Sequence, residues 1–295
     1  MHVRPRRSVL YMPGSNARAL EKAKSIAADA LILDLEDAVA PSAKEESRAQ
    51  VCAAVKSGGY GRRELIIRIN GLETAWGTAD LAAAVAAAPD AILLPKTGSA
   101  ADVFTITDAL ARAEAPAKTR LWAMIETPLA ILNLKEIAGA SAREGARLDC
   151  LVLGTNDLVK ETRADLSAGR WPALYWLSAA VVAARAFGLD VLDGVYNDFR
   201  DAEGFRRACL DGRALGFDGK TLIHPDQVAD ANAIFAPADA ELAFARKILA
   251  AFQQPENAGK GVITVEGRMV ELLHAKMAQK TVAIAEAIQA RDAKP

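Results

Sequence analysis

The fold of this chain is decided by the stretch Leu121-Trp122-Ala123-Met124-Ile125-Glu126-Thr127-Pro128. Its apolar residues run directly into a carboxylate, and a proline two positions later opens the next element. A continuous apolar run of this length is typical of a strand that is covered on both faces. Pro128 suits the first turn of a helix, where a backbone N–H is not needed. The pattern therefore predicts a buried parallel strand with Glu126 at its C-terminal tip, where α/β folds place their chemistry.

Seven other short apolar runs alternate with alanine-rich helical patterns before and after this strand. Including it, the predicted strands are Ser8–Met12, Ala30–Glu36, Glu64–Asn70, Ala91–Lys96, Arg120–Glu126, Asp149–Thr155, Leu189–Val195 and Lys220–His224. Strands that alternate with helices imply right-handed crossovers and a parallel sheet. We therefore predict a (β/α)8 TIM barrel as the catalytic domain over residues 1–235. A doubly wound sheet is the alternative, but no Gly-x-Gly-x-x-Gly motif follows the first strand.

Residues 236–295 follow a different pattern. Apolar positions predict a helix from near Pro237, a polar break over residues 253–261, and a last long helix that begins at Met269 and runs towards Ala290. A helical pair after a barrel either packs on its outside or forms a lid over one mouth, and the apolar stripes favour packing. We assign the segment as a helical lid or oligomerisation extension.

Composition limits the possible functions. The chain has 295 residues, 36 Lys and Arg against 37 Asp and Glu, and a formal net charge of -1. This balance gives no electrostatic reason to expect nucleic acid or an anionic membrane surface as partner. Three cysteines without metal-ligand spacing indicate reduced thiols in a cytoplasmic protein. Charged residues interrupt the most apolar regions, so we predict no membrane span.

The ends of the predicted strands carry polar residues that a barrel would bring to one mouth. They are Asp34, Glu36, Asp37, Arg68, Asn70, Pro95, Lys96, Glu126, Asp157 and His224. Crowded carboxylates repel one another unless a cation neutralises them, which Arg68, Lys96 or a divalent ion could do. Glu126 and Asp157 on neighbouring strand tips are the simplest pair of direct ligands, and two carboxylates completed by water and substrate oxygens are typical of Mg2+. A histidine-rich zinc site is disfavoured because only one strand tip carries an imidazole.

Taken together, several short motifs resemble the citrate lyase beta-subunit family, which is related to malyl-CoA and citramalyl-CoA lyases within the HpcH/HpaI aldolase group. The motifs are Arg7-Ser8-Val9-Leu10-Tyr11-Met12-Pro13-Gly14-Ser15, Leu33-Asp34-Leu35-Glu36-Asp37-Ala38-Val39, Arg68-Ile69-Asn70, Leu94-Pro95-Lys96, Ile125-Glu126-Thr127-Pro128, Gly154-Thr155-Asn156-Asp157-Leu158 and Ile223-His224-Pro225. They cover nearly the whole chain in order. The resemblance implies Mg2+ dependence, a homotrimer or hexamer, and a C-terminal lid that reaches a neighbouring subunit's site.

The resemblance also implies roles for particular residues. Glu126 and Asp157 would hold Mg2+, and Arg68 would bind a substrate carboxylate or the enolate oxygen. Glu36 and Asp37 would order metal-bound water or orient Arg68. Asn70, Pro95 and Lys96, at the same mouth, join Arg68 and Glu126 as candidates for substrate binding.

The proton-transfer residue expected from the family is an aspartate in the C-terminal segment. The matching stretch here is Gly267-Arg268-Met269-Val270-Glu271, so Glu271 stands where an aspartate is expected. The extra methylene shifts the reach of the carboxylate enough to matter for proton transfer. Glu271 is therefore a predicted catalytic residue that departs from the family pattern, with Glu266 as a second candidate.

The resemblance implies cleavage of a short 3-hydroxy-dicarboxylic acyl-CoA thioester, of the malyl-CoA or citramalyl-CoA type, to a 2-oxo acid and an acyl-CoA. Three alternatives stay open. The chain could be a thioesterase on the same substrates. It could be a citrate lyase beta subunit that works with other subunits on a carrier-protein thioester. It could also be a barrel kept only for binding or assembly, because a fold alone never fixes a function.

Overall fold

Eight parallel strands form a closed barrel in the computed structural model of the chain, which describes residues 4–292. The strands follow chain order around the barrel, and the eighth pairs with the first to close it. They are β1 Ser8–Pro13, β2 Ala30–Asp34, β3 Glu64–Arg68, β4 Ala91–Leu94, β5 Arg120–Ile125, β6 Leu148–Leu153, β7 Asp190–Asp193 and β8 Gly219–Leu222. Each corresponds to a predicted strand. The predicted (β/α)8 fold is confirmed, and the doubly wound alternative is wrong.

Helices fill the connections between the strands and continue beyond β8. They are α1 Ala17–Ala23, α2 Lys44–Ser57, α3 Gly77–Ala87, α4 Ala100–Arg112, α5 Pro128–Leu132, α6 Leu134–Gly139, α7 Thr155–Thr162, α8 Leu174–Ala186, α9 Ala202–Leu215, α10 Val228–Phe235, α11 Asp239–Phe252 and α12 Leu272–Asp292. Local chemistry sets several ends: Ser99 and Asp102 form a capping box before α4, and Gly216 ends α9 at φ 101°. None of the helices within residues 4–292 is long and apolar enough to cross a membrane.

Apolar side chains from alternate strand positions fill the barrel. Those in this cluster are Val9, Ala30, Ile32, Ile66, Ala91, Leu93, Trp122, Met124, Cys150, Val152 and Leu192. Buried arginines sit where the strands begin: Arg6 pairs with Glu64 at 2.8 Å and Arg7 with Asp29 at 2.9 Å. Side chains at the opposite strand ends are therefore left to form the mouth. The cysteines at positions 52, 150 and 209 are free thiols, as predicted.

The described chain forms two compact units, Arg6–Asn232 and a second unit from Ala233 onward together with residues 4 and 5. In the second unit, α11, α12 and a two-stranded hairpin share a small core that includes Ile248, Ile263 and Val270. The hairpin strands are β9 Val262–Val265 and β10 Arg268–Glu271.

The predicted start of the last helix at Met269 is wrong. Met269 lies in β10, opposite Thr264, and the helix begins at Leu272. The reason is the turn Glu266-Gly267, where both residues have positive φ, at 49° and 76°. Two such residues form the tight turn that suits a two-residue hairpin loop.

Candidate active site

The candidate site is a cavity of about 320 Å³ at the C-terminal ends of the barrel strands. The lining residues that carry its chemistry are Tyr11, Asp34, Asp37, Arg68, Met124, Glu126 and Asp157. They come from five strands or from the loops that follow them, so barrel closure brings together residues more than 140 positions apart. The volume is at the lower end of the usual range for small-molecule sites.

Arg68 is the buried cation of this mouth. Its Nε and Nη2 each donate to one carboxylate oxygen of Asp34 at 2.6 Å. The two residues are direct register partners on β2 and β3, which places their side chains side by side. Asp34 is itself held by the backbone N–H groups of Glu36 and Ala38, at 2.9 and 3.0 Å. Arg68 is therefore fixed by a carboxylate that is rigid before any substrate arrives.

Glu36 and Asp37 also contact Arg68, as their predicted orienting role requires. The Glu36 Oε2 atom lies 2.7 Å from Arg68 Nη1, and the Asp37 Oδ2 atom lies 3.4 Å from it. Glu36 is buried, whereas Asp37 is exposed. Asp34 makes the closer, two-bonded contact, although the sequence had suggested no role for it beyond its place at a strand end. Its position as the fifth residue of β2, level with Arg68 as the fifth of β3, is the feature that would have identified it.

Glu126 is buried at the tip of β5 with 1% of its surface exposed. Its Oε1 accepts the backbone N–H of Lys96 at 2.6 Å, and Lys96 adopts the left-handed backbone conformation at φ 49°. Gly154, just after β6, leaves room for this carboxylate: a Cβ there would lie 2.4 Å from the Glu126 Cβ and 2.6 Å from its Oε2. A glycine is therefore required beside Glu126 because of space.

Asp157 lies in the first turn of α7 and lines the same cavity as Glu126. Its negative charge contributes to raising the pKa of Glu126. The two predicted metal ligands thus line one cavity.

The charges at the mouth are unbalanced in a way that fits Mg2+. Five carboxylates, those of Asp34, Glu36, Asp37, Glu126 and Asp157, lie near three cations, Arg68, Lys96 and Lys44. Burial, reinforced by the neighbouring carboxylates, raises the pKa of Glu36 to about 8 and that of Glu126 to about 7. A divalent cation would relieve this repulsion. Within residues 4–292, no group of three or more His, Cys, Asp or Glu side chains is placed to hold a metal ion. Mg2+ is usually held by one or two carboxylates, with water and substrate oxygens completing its coordination.

Two of the predicted substrate contacts are placed differently from the others. Asn70 is buried, its Oδ1 accepts from Lys44 Nζ at 2.7 Å, and its Nδ2 donates to the Leu35 carbonyl and to Asp80. These bonds occupy both ends of its amide, so the geometry favours a positioning role over the predicted contact with substrate. Pro95 is buried as well. Lys96 is half exposed, with its Nζ 3.9 Å from Glu36, so it can approach a bound molecule.

Tyr11 and Met124 also line the cavity, although neither was predicted as a site residue. The Tyr11 ring lies 4.9 Å from the guanidinium carbon of Arg68, a cation–π contact. Its hydroxyl lies 3.9 Å from the sulfur of Met124. Burial raises the pKa of Tyr11, so the phenol stays protonated.

A larger cavity of about 1110 Å³ adjoins this one and shares Thr155, Asn156 and Val195 with it. Its most buried charged group is Lys220, which pairs with Asp193 at 2.7 Å. Arg170 bonds the other oxygen of Asp193 at 2.5 Å. Both cations are therefore engaged by the buried carboxylate of Asp193, so the smaller cavity is the better catalytic candidate despite its size.

Glu271, the predicted proton-transfer residue, ends β10 in the C-terminal unit. Its backbone N–H donates to Nδ1 of His274 at 2.9 Å. Glu266, the second candidate, forms an ion pair with Lys247. The catalytic role of either residue stays a prediction.

Comparison with known proteins identifies the same family as the sequence motifs do. The family model for HpcH/HpaI aldolase/citrate lyase matches residues 7–225. A (3S)-malyl-CoA thioesterase from Cereibacter sphaeroides (strain ATCC 17025 / ATH 2.4.3) is 47% identical, covering 97% of this chain and 96% of the relative. The L-malyl-CoA/beta-methylmalyl-CoA lyase of the same strain is 38% identical, over 97% and 96% respectively.

Among solved structures, protein CitE from Mycobacterium tuberculosis in complex with magnesium, acetoacetate and coenzyme A is similar at a TM-score of 0.74. It is 30% identical, and the match covers 95% of this chain and 97% of that one. The matches confirm the resemblance inferred from the motifs. Magnesium in the solved relatives supports Mg2+ as the cofactor.

Proposed function

We propose that this chain, which belongs to the HpcH/HpaI aldolase/citrate lyase family, cleaves a short 3-hydroxy-dicarboxylic acyl-CoA thioester of the malyl-CoA or citramalyl-CoA type. The products are a 2-oxo acid and an acyl-CoA. The observation that carries the proposal is the mouth of the barrel, where the carboxylates of Glu126 and Asp157 share one small cavity with the buried guanidinium of Arg68.

Glu126 and Asp157 are the residues that would hold the metal. Bound Mg2+ supplies a Lewis acid that polarises the substrate oxygen that becomes the ketone. The Lys96 backbone N–H fixes one oxygen of Glu126, which leaves its other oxygen, beside Gly154, free to face the cavity. The raised pKa of Glu126 means that its proton must leave before it can ligate.

Arg68 is the residue that stabilises the negative charge developed in the reaction. When the bond between the carbinol carbon and the acyl α-carbon breaks, the electron pair passes to the thioester as an enolate, and the hydroxyl gives its proton to a carboxylate at the mouth of the barrel. A guanidinium held by Asp34 and Glu36 is already oriented towards the cavity and stabilises such an oxyanion without reorganising. The α-carbon must then take up a proton, which we assign to Glu271.

The role of Glu271 is tested separately from that of the metal ligands. Glu271→Ala should abolish turnover and leave Mg2+ binding unchanged, because the residue lies in the C-terminal unit and not among the carboxylates that line the cavity. Glu271→Asp restores the family's residue and serves as the matched variant. Unchanged turnover in Glu271→Ala would remove this residue from the mechanism.

Hydrolysis of the same thioester is the second candidate function. Two observations favour it: relatives named (3S)-malyl-CoA thioesterase are 47–48% identical over 97% of the chain, and Glu271 replaces the expected aspartate. In that reaction water attacks the thioester carbonyl, the thiolate of CoA leaves, and the free 3-hydroxy acid is released.

One assay separates the two reactions. The protein is incubated with Mg2+ and with malyl-CoA or citramalyl-CoA, and both the 2-oxo acid and the free CoA thiol are followed. Cleavage yields glyoxylate or pyruvate without free thiol, whereas hydrolysis yields malate or citramalate and one thiol per turnover. Glu126→Gln is the control and should be inactive in either case. Absence of both products would contradict the proposed function.

Two further parts of the proposal concern partners. A carrier-protein thioester offered beside the CoA ester tests whether the chain works as a citrate lyase beta subunit, since such a subunit would turn over the CoA ester poorly. The expected homotrimer or hexamer is tested by light scattering on the purified protein.

A further inference from the structure

Tyr11 presents an incompletely satisfied donor to the candidate active site. The residue lies on β1, packs against the apolar interior of the barrel, and lines the cavity that holds Arg68 and Glu126. Its hydroxyl donates to the thioether sulfur of Met124 at 3.9 Å. A thioether is a weak acceptor, and a hydroxyl in such surroundings gains by finding a better one.

The neighbouring cation, Arg68, is already shared among three carboxylates. All three nitrogens of the Arg68 guanidinium already face carboxylates: Nε and Nη2 face Asp34, and Nη1 faces Glu36 and Asp37. The Thr221 hydroxyl, also on the cavity wall, donates to the Asp193 carbonyl at 3.1 Å. A ligand oxygen entering the cavity therefore meets in Tyr11 a donor that has no strong prior partner.

We propose that Tyr11 determines specificity for the acid portion of the substrate, with its hydroxyl donating a hydrogen bond to an anionic oxygen of that acid. The inference rests on the proposed function for the identity of the acid. The Arg68 guanidinium lies over the face of the Tyr11 ring, and this contact holds the ring and its hydroxyl in place. Burial raises the pKa of this phenol, which keeps the donor protonated throughout the working pH range.

The test is Tyr11→Phe, which removes the hydroxyl and keeps the ring on Arg68. The KM for malyl-CoA or citramalyl-CoA should rise about tenfold or more, with kcat changed by less than about twofold, because a bond made equally in the bound and transition states contributes to binding alone. Tyr60→Phe is the matched control, since the Tyr60 hydroxyl donates to the Leu20 carbonyl at 3.1 Å outside the cavity. That variant should leave KM unchanged.

A binding measurement distinguishes the acid from the rest of the substrate. Calorimetric titration in Mg2+ should show that Tyr11→Phe weakens the binding of malate, glyoxylate or pyruvate by a similar factor, and leaves the binding of acetyl-CoA, which has no free carboxylate, unaffected. Equal weakening of acetyl-CoA, or no weakening of the acids, would overturn the assignment.

The two proposals can fail separately. If the wild-type protein turns over the thioester and Tyr11→Phe has the same KM, the role of Tyr11 is wrong and the proposed function stands. If the wild-type protein forms no product, the proposed function is wrong, and the calorimetric comparison alone decides on Tyr11. Failure of the wild-type protein to bind any of the acids would overturn both.

Discussion

Asp34→Asn is the substitution that best tests whether Asp34 positions Arg68 for catalysis in addition to stabilising the barrel. Asp34 accepts two bonds of 2.6 Å from Arg68 and two from backbone N–H groups, and it is almost fully buried. The asparagine amide keeps one oxygen but turns an NH2 group towards the guanidinium. Breaking a buried ion pair in this way costs about 3–5 kcal/mol of unfolding free energy. Because Glu36 remains 2.7 Å from Arg68, we expect the lower part of that range, about 3 kcal/mol.

The barrel contains a natural control for this experiment. Asp29 accepts two bonds of 2.9 Å from Arg7 in the same two-pronged geometry, at the opposite ends of the strands. Asp29→Asn should cost a similar free energy of unfolding, measured by urea denaturation at constant pH. Only Asp34→Asn should also reduce turnover, by about 100-fold, because a displacement of Arg68 by about 1 Å suffices for such a loss.

Two results would contradict the proposed support of Arg68 by Asp34. If Asp34→Asn retains the wild-type kcat/KM while losing stability, Arg68 does not depend on Asp34 for its catalytic position. If Asp29→Asn loses turnover as severely as Asp34→Asn, the effect is a general consequence of destabilising the barrel, and the proposed support of Arg68 is wrong.

The remaining predictions concern the metal site and its surroundings. Glu126→Gln should weaken Mg2+ binding by at least about tenfold in a calorimetric titration, because one of two carboxylate ligands becomes a neutral amide; wild-type affinity would argue against Glu126 as a ligand. Gly154→Ala should lower both stability and Mg2+ affinity, because its Cβ would collide with Glu126, whereas Gly261→Ala, which meets nothing within 4 Å, should change neither. Without Mg2+, the free energy of unfolding should fall between about pH 5 and pH 8. The pKa values of Glu36 (about 8) and Glu126 (about 7) lie above the ordinary 4.5, so the folded protein binds protons more tightly than the unfolded chain and loses this advantage as they dissociate. Saturating Mg2+ should reduce that fall in urea melts, and a stability that rises over the same range would contradict the pKa shifts.

The barrel could be predicted because each of its strands is encoded locally. A strand covered on both faces must be apolar along its whole length, as Leu121–Ile125 is, and the polar residue that follows marks where it leaves the core. Closure of the barrel then follows from the count of eight units. The C-terminal hairpin was missed because Met269 fits a helical stripe with Leu272 and Leu273, and only the Glu266-Gly267 turn distinguishes the two structures.

Candidate site residues at strand ends were predictable for the same reason. The sequence identified Glu126, Asp157, Arg68, Glu36 and Lys96 as groups that a barrel mouth would collect, and the structure places them around one cavity or in contact with its residues. Their roles as ligands and catalytic groups stay predictions until the experiments above are done.

Local patterns along the chain specify the helices, the strands and the polar groups at the strand tips, because hydrophobic periodicity and turn chemistry act over a few residues. Which of those groups face each other depends on the packing of the whole barrel. Strand register paired Asp34 with Arg68, the space beside Gly154 fixed the place of Glu126, and burial raised the carboxyl pKa values. Barrel closure also placed Tyr11 over Arg68 and drew Asn70 into internal hydrogen bonds. These outcomes depend on distances between residues far apart in the chain, which no local pattern encodes.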